Sequence, residues 1–314
     1  MKNGKVYLGV LVCYLIWGMQ PLYWSWLGNF APLFTLCVRV FMSVVTSLLF
    51  LARAGRLGDY IATLRDWSQM KHYLPSSFVL AVDWALFIWA VTSEHVIDAS
   101  IGYYLAPLVI FLAGLVIFRE RGHALEFGAV GLACVGVAIC LVGFGTFPML
   151  ALILAIIWPT YAILKRAIRG DGLVSFAVET TLMLPYTLAY ALLFCRGEGG
   201  FASLTWGAAP LLLLSGVVTA LPIVLYIRAV NVLPLTLMGI LQYAGTSITL
   251  VCGTLFMHEP LTLPKLVMLL FIWAGLILLT LGNMRKRKST AAPAAEPVAA
   301  TIPRSPTPPG SSPR

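Results

Sequence analysis

Charge is what this sequence has least of. Lys, Arg, Asp and Glu make up 11% of its 314 residues, whereas a soluble domain carries about 25%. Hydrophobic residues reach 60% and the mean hydropathy is +0.91. A water-soluble fold of this length cannot hide that much apolar surface, so the chain reads as an integral membrane protein. CxxC pairs are absent, and the four histidines (His72, His95, His123, His258) lie far apart near the ends of apolar runs. That excludes a zinc site or a disulfide framework, and the six cysteines read as small packing residues. Without a phosphate-binding lysine loop, HExxH or GxGD, neither ATP-driven transport nor an intramembrane protease is indicated. No cofactor and no metal are expected.

The net charge of +9 does not indicate a nucleic-acid partner, because the basic residues occupy short gaps between apolar runs instead of one folded face. A membrane-crossing helix needs about 20 mostly apolar residues. Cutting the chain at charges and Gly/Pro clusters predicts ten, over 6–25, 33–52, 74–92, 99–118, 124–143, 148–165, 173–195, 206–228, 236–257 and 263–283. The first follows Lys2 and Lys5 but ends in bulky residues with no small-x-small cleavage site, so it reads as an uncleaved span. Residues 53–73, with Tyr60, Ile61, Leu64 and Trp67, suggest a short surface helix. Residues 285–314 open with four basic residues and continue as an Ala/Pro/Ser tail expected to be disordered. Eighteen of the 21 basic residues fall on the side that carries both termini, two on the other, and Arg39 within a span. The positive-inside bias makes that side cytoplasmic.

Residues in the second half match the first at an offset of 139 to 141. Gly114…Phe118-Arg119-Glu120 corresponds to Gly253…Met257-His258-Glu259, Gly136 to Gly275 and Gly143 to Gly282. This predicts two repeats, 1–145 and 146–284, of five spans each. Five is odd, so the second copy enters the membrane upside down, an architecture of secondary transporters. The fold class is therefore an all-α integral membrane protein of ten transmembrane helices in two inverted five-helix repeats, with both termini inside.

Several stretches carry a family resemblance: Tyr14-Leu-Ile-Trp17-Gly18, Arg39-Val40, Trp84-Ala-Leu-Phe-Ile-Trp89-Ala90-Val91, Ala99-Ser100-Ile-Gly102-Tyr103 and Gln242-Tyr243-Ala-Gly245. In order and spacing they resemble RarD-type members of the EamA branch of the drug/metabolite transporter superfamily, over about residues 5–283. Asp83 stands where that pattern has asparagine and Thr246 where it has proline. The resemblance implies an inner-membrane transporter or exporter of small metabolites.

Ionisable groups within spans are expensive and mark candidate sites. Arg39 lies about six residues into the second span from its external end and could hold a substrate carboxylate or pair across the halves. Glu179 occupies its repeat position and could carry a proton or turn outward at the cytoplasmic surface. Asp83, near the middle of the third span, should face the interior, with Arg39 as its expected partner. Trp17, Trp84, Tyr103, Tyr104, Gln242 and Tyr243 could line a central cavity suited to an amphipathic small molecule. Glu120 and Glu259 end their spans and read as structural signature positions, acting on the positive end of the helix that follows. Glu94, His95 and Asp98 read as solvated loop residues. The expected partners are a small-molecule substrate, the lipid bilayer and protons, proton coupling resting on Glu179 and Asp83. A channel or lipid flippase is the nearest alternative function. The halves are expected to rock about the cavity, with the fifth and tenth spans stiffening the edge or forming a homodimer contact. Gly128, Gly131 and Gly136 read as close-contact positions.

Overall fold

The computed structural model describes residues 2–117, 119, 124–143, 147–165, 167–168, 170–230 and 235–291. Its elements are helices α1 (Lys2–Ser25), α2 (Pro32–Arg53), α3 (Leu57–Arg65), α4 (Trp67–Thr92), α5 (Val96–Val116), α6 (Ala124–Ala138), α7 (Met149–Lys165), α8 (Gly172–Phe194), α9 (Ala209–Val230), α10 (Leu235–Val251) and α11 (Leu263–Ala291). Short π-helical turns, Ile139–Gly143 and Cys252–Phe256, extend α6 and α10. Among the described residues eight helices are long and apolar enough to cross a membrane, and α7, at 17 residues, is a shorter apolar helix. The chain is a multi-pass membrane protein. Helices suit this solvent because they satisfy every backbone N–H and C=O within the segment. The same environment tolerates the prolines inside α1, α4, α5, α7, α8 and α9.

The segment 53–73 departs from a simple loop. The short helix α3 forms as expected, and its Tyr60 hydroxyl meets Thr181 Oγ1 of α8 at 2.9 Å. The third span then begins at Trp67, seven residues before its predicted start at 74. Asp66 is the reason: its carboxylate accepts the Ser68 amide at 2.9 Å and caps α4. At the other end of the chain α11 runs through the basic cluster to Ala291. The rest of the predicted tail, 292–314, lies outside the described residues.

The tightest helix contacts join residues before 145 to residues after it: α6 on α11, α5 on α7, and α2 on both α8 and α9. Missing side chains make these approaches possible. A Cβ on Gly216 of α9 would sit 2.1 Å from the Met42 carbonyl oxygen of α2. On α6 and α11 the contact is reciprocal. A Cβ on Gly136 would lie 3.2 Å from Met268 O, and one on Gly275 would lie 2.7 Å from Ala129 O. Of the other two expected contact glycines, Gly128 faces Leu278 at 3.5 Å, whereas Gly131 has no neighbour within 4 Å. Arg119 and His258, 139 positions apart, both adopt the left-handed backbone (φ 52° and 55°), a conformation uncommon outside glycine.

The halves are also tied at both ends of the bundle. On one side the Ala31 amide donates to Gly199 O at 2.7 Å, and Phe34 packs edge-on against Phe201. On the other, Arg56 Nη1 meets Asp171 Oδ2 at 2.7 Å. Asp171 also accepts the Leu173 and Val174 amides as N-cap of α8. Burial pushes this carboxyl up, but the Arg56 guanidinium and the two amides outweigh it and hold it below its usual range.

Two outcomes are expected. Gly216→Ala should destabilise the detergent-purified protein by about 1–3 kcal/mol through overpacking, while Gly131→Ala should be neutral or slightly stabilising, as thermal unfolding would show. A carboxyl depressed in the folded state contributes stability above its unfolded pKa and loses it as pH falls through the folded value. Asp171→Asn should therefore flatten the acid side of the melting-temperature profile while keeping the cap. Asp171→Ala should lose about 1 kcal/mol more, the worth of the cap.

Candidate functional site

A cavity of about 490 Å³ lies in the middle of the bundle. It is walled by α1, α2, α4 and α5 from one half and α7 to α10 from the other. Six of the nine residues expected there line it: Trp17, Arg39, Asp83, Trp84, Tyr103 and Gln242. Tyr104 and Tyr243 do not, because consecutive residues on a helix point about 100° apart. With Tyr103 and Gln242 turned into the cavity, their neighbours pack elsewhere. The Tyr104 hydroxyl meets Ser247 Oγ at 2.5 Å, its ring lies edge-on to Trp273, and Tyr243 packs in the same apolar cluster.

Arg39 is 4% exposed. Its guanidinium carbon stands 3.9 Å from the centre of the Trp84 ring and 4.8 Å from that of Trp24, a cation–π arrangement that replaces some of the lost hydration. Its Nε donates to Thr219 Oγ1 of α9 at 3.2 Å, and Nη1 has no partner. Asp83 is 3% exposed. The Tyr103 hydroxyl lies 3.4 Å from both carboxylate oxygens, a long contact for a charged acceptor. The expected Arg39–Asp83 salt bridge is not made, since no nitrogen–oxygen pair of the two comes within 4.0 Å. Thr219, the indole rings and the helix positions hold the guanidinium where it is.

Glu179 does not line the cavity. It does not turn out to the surface but is fully buried and takes three side-chain donors. Ser76 Oγ of α4 reaches one oxygen at 2.5 Å. Lys165 Nζ and the Tyr161 hydroxyl, both of α7, reach the other at 2.5 and 3.2 Å. Lys165 also contacts Ser175 Oγ at 2.6 Å. Lys165 and Tyr161 belong to the cavity wall, and sequence reasoning missed both. Lys165 reads as an interfacial charge because it ends its span, and its signal was the turn-spaced pair Tyr161 and Lys165 opposite a buried Glu. Gln20, Trp158 and Tyr226 also line the cavity unanticipated.

The signature residue Glu259 acts across the molecule. Its Oε2 accepts the Ile97 amide at 3.0 Å, capping α5 and not the helix that follows it in sequence. Lys265 Nζ stands 3.5 Å from the other oxygen and 3.1 Å from Asp98 Oδ2, so Asp98 is part of this cluster and not a free loop charge. Burial pushes the Glu259 carboxyl up, against the pull of the amide and the ammonium. Glu120 lies outside the described residues.

Residues 4–142 match the model of the EamA-like transporter family. The chain is 33% identical over 297 residues to protein RarD of Streptomyces exfoliatus, covering 93% of this chain and 94% of that one. It is 32% identical over 292 residues to the uncharacterized transporter YojE of Bacillus subtilis, covering 92% and 97%. Protein RarD of Escherichia coli is 30% identical over 286 residues, with 89% and 95% covered. A solved crystal structure with 16% identity superimposes with a TM-score of 0.58 over 88% of this chain and 98% of that one, a likeness of fold.

Removing one partner of a buried ion pair leaves an uncompensated charge. Lys165→Met, which strands the fully buried Glu179, is expected to cost about 3–5 kcal/mol. Glu179→Gln should cost less, because Lys165 can turn to the cavity. The double variant should recover much of the loss, and a double-mutant cycle of thermal unfolding in detergent checks the order.

Proposed function

We propose a function from one premise: the chain belongs to the EamA-like transporter family. It is a secondary-active transporter, an exporter of small metabolites or drugs across the plasma membrane, and it works by alternating access. The central cavity carries this reading. It is walled by both halves, holds two buried charges and several aromatic rings, and has a volume in the usual range of about 300–1,000 Å³ for small-molecule sites.

The ten-crossing, inverted-repeat arrangement completes the proposal, with α7 and α10 as crossings beside the eight longer helices and both termini cytoplasmic. Three pairs of repeat-matched features support it. Gly136 and Gly275 make reciprocal contacts. Arg119 and His258 share a rare backbone conformation. The repeat mates Arg39 and Glu179 each take a hydroxyl from a helix of the other half, Thr219 of α9 and Ser76 of α4. In this reading the cavity faces the cytoplasm. Its wall includes Lys165, Gly172 and Ile227 near the cytoplasmic ends of α7, α8 and α9. The external ends are packed shut around Trp24, Leu27 and Phe34, which are at most 1% exposed. Rocking one half on the other about the α2–α9 seam would open that plug and close the inner mouth. Proton coupling, if carried by a side chain of this cavity, falls to Asp83 and not to Glu179, whose oxygens are engaged by three donors.

Counterflow in proteoliposomes tests the reading. Wild-type protein preloaded with a panel of aromatic metabolites and amphipathic drugs should exchange at least one for its labelled form. Internal solute should accelerate the exchange, as a channel would not. Ala162→Trp, which fills the cavity, and Arg39→Gln should reduce exchange to background while the protein stays monodisperse. Undiminished exchange in both would remove the cavity as the route.

A further inference from the structure

The cavity holds two charges that the protein leaves half-satisfied, and their arrangement restricts what can enter. The Arg39 guanidinium lies over the rings of Trp24 and Trp84. Of its donors, Nε is used by Thr219 and Nη1 has no partner, although the residue is 96% buried by its 4% exposure. A guanidinium carries five N–H donors and cannot be deprotonated in proteins. Asp83, on the facing helix α4, is as deeply buried and has for its two oxygens only a distant tyrosine hydroxyl. An ionised carboxylate has about four acceptor sites. Both groups line the same space and do not meet. Burying incompletely paired charge is expensive, so a group that bonded to both would be favoured in this space.

The other ionisable groups in the wall supply no bridge. Lys165 is neutralised by Glu179 and also bonded to Ser175. Tyr161 donates to the same glutamate. Tyr103 stands between α5 and Asp83. Tyr14 packs edge to face against Tyr226 and Trp17, and Tyr226 lies tilted against Trp17. The wall is therefore balanced in charge but divided into one positive and one negative pole.

Building on the transporter reading above, the geometry points to a zwitterion as the substrate class of this cavity: a solute with an anionic group at the Arg39 guanidinium and a cationic group on Asp83. An amphipathic body of this solute packs against Trp17, Phe87, Trp158 and Tyr226. A solute of one sign satisfies one pole, brings an excess charge into a low-dielectric site and leaves the opposite pole bare. A neutral solute leaves both bare. A molecule carrying both signs a few ångströms apart completes the two sites at once and remains net neutral.

The experiment is calorimetric titration of the full-length, detergent-purified protein with four probes sharing one body: L-phenylalanine, N-acetyl-L-phenylalanine, phenethylamine and 2-phenylethanol. Phenylalanine should bind at least about 30-fold more tightly than either singly charged probe, since each lost partner strands a buried charged group. In Arg39→Gln that advantage over phenethylamine should vanish. In Asp83→Asn the advantage over the N-acetyl compound should vanish. Arg39→Lys and Asp83→Glu, each keeping the charge, should restore part of it, which excludes misfolding as the cause. Equal binding of phenylalanine and 2-phenylethanol overturns the proposal in favour of an apolar solute. Equal binding of phenylalanine and its N-acetyl form overturns it in favour of an anion. Failure of all four to bind also overturns it. The transporter reading fails separately, when the wild-type protein shows no counterflow of any solute on the panel.

Discussion

Charge in hydrocarbon has no water to turn to, and the interior of this molecule is organised around that constraint. Arg39, Asp83, Lys165 and Glu179 are all drawn into the bundle, and the protein treats them in two ways. Glu179 and Lys165 are closed off: the carboxylate takes three donors from α4 and α7, and the ammonium takes two acceptors from α8. This is how a structural ion pair survives burial. Arg39 and Asp83 are left open, held apart and only partly bonded. The first pair fastens helices together and the second leaves a space between them. A cavity in a membrane protein is then less a gap in packing than a place where the polar groups of the wall have been withheld from one another.

The small residues at the seams serve the same end. Gly216 lets α9 ride directly on the backbone of α2, and Gly136 and Gly275 do so for α6 and α11. Hydrophobic burial gives no preference for helix over lipid, so close backbone approach and interhelical hydrogen bonds hold such bundles together. Those contacts join residues before 145 to residues after it, so the two parts of the chain are fastened along these seams.

Much of this was legible in the chain itself. The charges inside spans announced the polar interior, and apolar length marked the long helices, although the third begins at Trp67 and not at the predicted 74. Orientation about a helix axis was not legible. In helices apolar all round, no polar face marks which side looks inward, so Tyr103 and Tyr104 were indistinguishable, as were Gln242 and Tyr243. Lys165 was hidden for a related reason: a lysine at the end of a span is ordinarily an interfacial residue. The Asp83–Arg39 pairing failed because proximity of opposite charges was taken as sufficient, whereas stacking on two indoles and a bond to Thr219 fix the guanidinium elsewhere. The cap that Glu259 places on α5 spans 162 residues, and no local pattern could have revealed it.

That cap also bears on how the protein is made. The N-terminus of α5 is synthesised long before the carboxylate that satisfies its Ile97 amide. At typical elongation rates of about 5–20 residues per second, the interval is roughly 10–30 s. During that time the helix sits in or beside the membrane with an open end, and the first half of the molecule lacks a contact it needs. The cap on α5 is therefore a contact that the chain completes only late, when the residue after α10 reaches a helix made near the beginning.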